Sequence, residues 1–334
     1  MTTIPLSPAE AGAAPRRQYL AYLPVSLFGS VMGLTGLSVA WHLAASRYGA
    51  SPWIGDAIGW LAVVAFVALA LAYGVKAATA PEAVLAEFRH PIASSLFGTA
   101  IISLLLLPIV LVRYSAPLAD GLWIAGTVLM VLFAWHIVSR WMSSRQQAAH
   151  ATPAWIVPVV GLLDVPLAVP SLHLPMTQEI SLFAFSVGLF FAVPLFTLIF
   201  SRLLFEEPMP AALRPTLMIL IAPFSVGFTS YVATTGRIDT FAEALFLLSL
   251  FFLAVLLRQL RDLPFACPFR LSWWAVSFPL AATAGAAIRY ADHAGHAVFD
   301  VVALAILALA TLVIAGLAIR TLIGVARGEL KALS

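Results

Sequence analysis

The chain is poor in charge and almost without cysteine. Asp, Glu, Lys and Arg make up only 10% of its 334 residues, against about a quarter in soluble domains. That excludes an ordinary soluble fold. The net charge of +3 is spread over the loops, so no basic surface for nucleic acid is expected. A single cysteine, Cys267, excludes an internal disulfide and a cysteine metal cluster. No Gly-rich phosphate loop, nucleophile triad pattern or HExxH zinc motif is present. No cofactor and no enzymatic activity are expected. No apolar run alternates at period two, which excludes a membrane β-barrel. The first twenty residues carry no signal-peptide apolar core. The first membrane segment is therefore expected to act as its own insertion signal.

What is present is hydrophobicity: 62% of residues, with a mean hydropathy of +1.01. Runs long enough to cross a ~30 Å hydrocarbon core fall at about 20–45, 54–75, 91–113, 118–141, 153–172, 178–200, 213–235, 240–260, 271–290 and 297–321. The reading is an all-α integral membrane protein of ten transmembrane helices. Segments 1–19 and 326–334 read as polar tails flanking one ten-helix membrane domain, 20–325. Fourteen of the eighteen Lys and Arg residues fall on one side of this arrangement. By the positive-inside rule both termini are cytoplasmic, at an inner cell membrane.

The helices fall into two kinds. Odd-numbered ones carry seventeen Gly plus Pro and even-numbered ones eight. Pro91, Pro153 and Pro215 each open an odd helix at a constant spacing of 62 residues, a hint of repeated units. The expected architecture is five helical hairpins, with irregular odd helices inside and regular even helices outside against lipid. Broken backbone is tolerated only where protein or water can satisfy it.

Ser272 to Tyr290, SWWAVSFPLAATAGAAIRY, is the stretch around which this arrangement is organised. Two indoles stand at one end and Arg289 at the other. Phe278 and Pro279 are followed by small residues from Ala281 to Ala287. Small residues let other backbones or a pore come close. Two readings stay open on spacing alone: a tightly packed, kinked helix with a core phenylalanine, or a pore helix carrying a bulky plug.

Four stretches, taken in order, resemble the tellurite-resistance/dicarboxylate transporter (TehA-like) family, which includes the plant slow-type anion channels. They are LPVSLFGSVMGLTGLSVAW (Leu23 to Trp41), EFRHP (Glu87 to Pro91), LRPTLMILIAPFSVGFTSY (Leu213 to Tyr231) and the ninth-helix stretch. The first departs from the family pattern at Leu23 and Ser26. The resemblance implies five odd helices around a central pore, a homotrimer, and passage of small inorganic or carboxylate anions: chloride, nitrate, tellurite-type oxyanions or C4-dicarboxylates. It also implies that Phe278, at the position of the family's plugging phenylalanine, is the gate. Pore-lining candidates are Phe28, Gly33, Phe97, Pro158, Gly161, Asp164, Pro223, Phe224, Pro279 and Thr283. With no Lys or Arg mid-span, anions would be held by weak features, among them hydroxyls at Ser95, Thr99, Ser225, Thr229 and Thr283.

Asp164 is the exception, an intramembrane carboxylate where the family commonly has Asn nearby. Such groups are costly and usually functional. Three readings stand: a carboxyl kept neutral, a partner for a base or for freed backbone, or a site coupling proton to anion movement. The last would make the chain a proton-coupled exporter. His136 reads as a packed outer-ring residue. His293, His296, Asp292 and Asp300 read as a solvated loop in preference to a metal site. Glu206 and Glu207 beside Arg202 read as a solvated face, and Arg113 and Arg289 as mouth charges or snorkelling ends. A membrane-embedded enzyme and a closed, vestigial pore are the remaining alternatives.

Overall fold

The computed structural model describes residues 19–334. Most of the expected N-terminal tail, with Arg16 and Arg17, lies outside the described residues. Among those described, ten helical spans are long and apolar enough to cross a membrane. They are α1 (Val25–Tyr48), α2 (Pro52–Thr79), α3 (Ala93–Leu111), α4 (Ala116–Ser143), α5 (Pro153–Ser171), α6 (Thr177–Phe205), α7 (Ala211–Thr235), α8 (Thr240–Ala266), α9 (Leu271–Ala294) and α10 (Ala297–Ala326). No strand occurs among the described residues. A short amphipathic helix, Pro81–Arg89, joins α2 to α3 where the sequence reading gives only a connection.

Burial separates the two kinds of span. In the odd spans 61 to 78% of the most apolar stretch is buried, and in the even spans 11 to 39%. The odd spans are the inner ones. Each touches two other odd spans, in the order α1–α3–α5–α7–α9 and back to α1, so they close into a ring. Each even span lies against two neighbouring inner spans and turns its remaining face outward. Apolar residues exposed there, such as Val64, Phe190 and Leu312, suit a lipid surface.

The inner spans share a feature that periodicity does not reveal. Each begins as a 3-10 helix: Val25–Phe28, Ala93–Phe97, Pro153–Ile156, Ala211–Ile221 and Leu271–Val276. No even span does so. Span α5 goes on alternating between 3-10 and α-helical turns to its end. Pro158, Pro166 and Pro223 each sit second, and Pro279 third, in the α-helical segment that follows a 3-10 stretch. A first turn is where proline's missing N–H costs least. These prolines therefore mark where i+3 bonding gives way to i+4 bonding. They are not mid-helix kinks, as the sequence reading has Pro279.

The start of α1 is pinned from outside the ring. Glu87, on the short helix, accepts hydrogen bonds from the Val25 backbone N–H (2.7 Å), Lys76 Nζ (2.6 Å) and the Tyr73 hydroxyl (3.0 Å). Lys76 also donates to the Leu23 carbonyl. The lysine is buried, so the pair must be well satisfied to be tolerated. This gives the acidic residue of EFRHP its role.

Candidate functional site

A cavity of about 100 Å³ lies on the ring axis and is lined by all five inner spans. It has room for several waters or one small anion. Its wall draws on both kinds of winding, and the 3-10 period shows at α7, where Leu213, Thr216 and Ile219 stand three apart. Ser26, Gly29 and Met32 face it from α1; Leu96, Thr99 and Ile102 from α3; Leu213, Thr216, Ile219 and Ala222 from α7. Side chains three apart are eclipsed in a 3-10 helix, so the Ala211–Ile221 stretch turns one straight stripe toward the axis, whereas Gly29, Met32, Thr99 and Ile102 are α-helical. Gly161 and Asp164 come from α5, and Trp274, Ala275, Phe278 and Pro279 from α9.

The wall offers an anion little to hold. The hydroxyls of Thr99, Thr216 and Ser272 donate to backbone carbonyls, to Leu96 at 2.7 Å, Leu213 at 2.6 Å and Ala212 at 2.8 Å. No Lys, Arg or His lines the cavity. Asp164, 3% exposed, is its only ionisable wall residue. The Asp164 Oδ1 has no hydrogen-bond partner among the described residues.

Phe278 is on the cavity wall and nearly buried. Gly36 of α1 faces its ring, and a Cβ there would lie 3.3 Å from Phe278 Cδ2. Of the other pore candidates, Gly161, Asp164 and Pro279 line the cavity with it. The rest lie elsewhere. Phe28 packs edge-on against Phe66 and Tyr73 of α2. Phe97 meets Tyr73 and Phe88, and Phe224 stacks on Phe252 of α8. These three aromatics bind the inner ring to its surroundings. Gly33 lies where α1 and α9 meet, 2.2 Å from Ser277 Oγ if given a Cβ. Pro158 and Pro223 sit at the 3-10 to α transitions already described. Thr283, Ser225 and Thr229 donate to their own helices, to Pro279, Ile221 and Val226. The stripes at Ser26, Thr216 and Ala275 escaped the sequence reading because a 3.6-residue period does not select them.

Most of the remaining polar residues have ordinary partners. His136 stacks on Phe88. Asp292 and Asp300 both hold Arg47, and His293 faces Glu243 at 3.5 Å. Arg113 pairs with Asp56 and Arg237 with Asp239. Arg289 is exposed, and no ion pair includes it among the described residues. Glu206 and Glu207 are exposed as expected, but Arg202 is buried.

The family model described as SLAC1, voltage-dependent anion channel, matches residues 22–322. The S-type anion channel SLAH3 of Arabidopsis thaliana is 28% identical over 319 residues, covering 91% of this chain and 49% of the plant protein. The tellurite resistance protein TehA homolog of Haemophilus influenzae is 27% identical over 279 residues, covering 80% of this chain and 81% of its own. The uncharacterized transporter MJ0762 of Methanocaldococcus jannaschii is 26% identical over 290 residues, covering 79% and 83%. The chain thus spans about half the length of SLAH3 and most of the two microbial relatives. All three relatives bear names of channels, transporters or resistance proteins, and none that of an enzyme.

Proposed function

The chain belongs to the SLAC1 family of voltage-dependent anion channels, and on that premise we propose that it conducts small anions along the axis of its inner ring, with Phe278 as the gate. The observation that carries this reading is the position of Phe278. It stands on the wall of a cavity to which all five inner spans contribute. The wall is apolar, and of its four hydroxyls those of Thr99, Thr216 and Ser272 are engaged, leaving only Ser26, so an anion there is held weakly. Weak binding favours release and hence conduction. Poorly hydrated anions such as nitrate should pass most easily, because dehydration dominates the barrier. Chloride, tellurite-type oxyanions and C4-dicarboxylates complete the proposed substrate class.

Arg289 fits the same reading. It lies eleven residues beyond Phe278 on the continuous helix Ser277–Ala294. That places it about 16 Å further along and within about 20° of the same direction. The flanks of α9 are covered by α1, α7, α8 and α10, so an exposed cation on this stripe faces the axis. It would concentrate anions at the far mouth. The proposed setting is a homotrimer in the inner cell membrane with both termini cytoplasmic and residues 20–325 as the conducting unit.

A second reading is favoured by one observation, the partnerless Oδ1 of Asp164 in the cavity. A proton carried there would couple anion movement to a proton gradient. Anion flux into liposomes, comparing nitrate, chloride and malate with and without a proton gradient, tests both. Flux of nitrate and chloride independent of the gradient supports the channel. Flux only under a gradient supports coupling. No flux of any anion, even in Phe278→Ala, sinks both.

A further inference from the structure

A second cavity, about 650 Å³, opens between α6, α7 and α8 on the outer side of the inner ring. Its long walls are apolar and aromatic, with Phe196, Phe200, Leu217, Phe252 and Val255 among them. Phe200 and Val255 are partly open to the outside, where the acyl chains of the bilayer run. One end is polar. Arg202 stands there in the last turn of α6, with Arg214 at the start of α7 and Gln259 near the end of α8. Arg214 donates to the Gln259 carbonyl at 2.8 Å.

Arg202 is 7% exposed, and its Nε and Nη1 are buried without any hydrogen-bond partner. Glu206 also lines the cavity but forms no ion pair with it. A buried guanidinium with unmade hydrogen bonds is costly unless an anion completes it. Its planar fork matches the oxygens of a phosphate. The polar end lies at the membrane face where Arg258, Arg261 and Arg270 also gather. Basic pockets between helices at such a face suit acidic headgroups.

We propose that this groove binds an acidic phospholipid, its phosphate on Arg202 and its acyl chains along the aromatic wall. A free phosphate would satisfy the guanidinium and leave the long apolar wall unused. The site lies behind the pore. The 3-10 stretch of α7 turns Leu213, Thr216 and Ile219 to the axis and Arg214, Leu217 and Leu220 to the groove. Two stripes on one helix are what a three-residue period produces. This inference needs only a membrane-spanning chain and stands independently of what the pore conducts.

The test is thermal unfolding of the full chain in detergent, followed by tryptophan fluorescence, with native mass spectrometry of bound lipid. Phosphatidylglycerol, phosphatidylcholine and inorganic phosphate are titrated separately. Phosphatidylglycerol alone should raise the unfolding midpoint and give a bound adduct. Arg202→Gln should weaken it about tenfold or more, the usual consequence of losing a hydrogen-bonded charge, while Arg237→Gln, beyond the other end of α7, leaves it unchanged. If Arg202→Gln does not fold, Arg202→Lys, which keeps the charge and loses the fork, should bind measurably more weakly. Equal stabilisation by phosphatidylcholine or by inorganic phosphate overturns the proposal. So does undiminished binding to either Arg202 variant, or a cross-link from the groove to a second copy that lipid does not displace.

Discussion

Gly36 of α1 and Phe278 of α9 meet so closely that a methyl group on the glycine would stand 3.3 Å from the phenylalanine ring. The same methyl would lie 3.1 Å from the Ala281 Cβ. Alanine cannot shift without its backbone, whereas the ring can turn. Gly36→Ala should therefore displace the proposed gate and raise basal anion flux, by less than removing the ring does. In a Phe278→Ala background the same substitution should add nothing. A liposome flux comparison of the four proteins measures this coupling, and equal effects in both backgrounds would refute it.

Three positions earlier the contact is structural. A Cβ on Gly33 would lie 2.2 Å from Ser277 Oγ and 2.4 Å from its Cβ. Gly33→Ala should destabilise the fold by about 1–3 kcal/mol, the usual cost of overpacking. Ser277→Gly should restore part of the loss, because it removes both clashing atoms. Thermal unfolding in detergent reads both. Full stability of Gly33→Ala would show that α1 and α9 do not pack as described.

The pin at the start of α1 gives a third prediction. Lys76→Met leaves the partly buried Glu87 carboxylate without its cation and should cost ~1–3 kcal/mol. The double variant Lys76→Met/Glu87→Gln removes both charges and should be more stable than Lys76→Met alone. An unfolding midpoint for Lys76→Met equal to that of the unmodified chain would argue against a buried pair.

Much of this fold is legible in the sequence, and for identifiable reasons. Ten apolar runs appear because hydrocarbon thickness sets their length. The inner ring appears because Pro and Gly collect where backbone irregularity is sheltered, as at Pro158, Gly161 and Pro166. The pore wall is much less legible. Phe28, Phe97 and Phe224 are large and sit on inner spans, yet they face outer helices. Phe28 and Phe97 close 3-10 stretches, which rotate their stripes away from the α-helical position, and Phe224 follows one at the start of an α-helical segment. Ser26, Thr216 and Ala275 lie on the cavity with nothing in their identity to announce it. Phe278 could be singled out because bulk stands alone there beside a run of small residues. Asp164 could be because a carboxyl within a membrane span is rare.

Asp164 supplies the fourth prediction. No other ionisable side chain lines the cavity, so a proton-coupled flux would have to depend on it. If coupling operates, Asp164→Asn should conduct with a flat pH profile where the unmodified chain shows a sloping one. A slope that survives the substitution would assign the proton to another group and remove the reading that couples flux through Asp164. A flat profile in both proteins would leave the passive channel.

The most direct measurement is chloride and nitrate flux through Phe278→Ala in protein-containing liposomes, set beside the unmodified chain at equal incorporation. The account predicts a large rise in flux, with nitrate ahead of chloride. Flux unchanged by removal of the ring would contradict it.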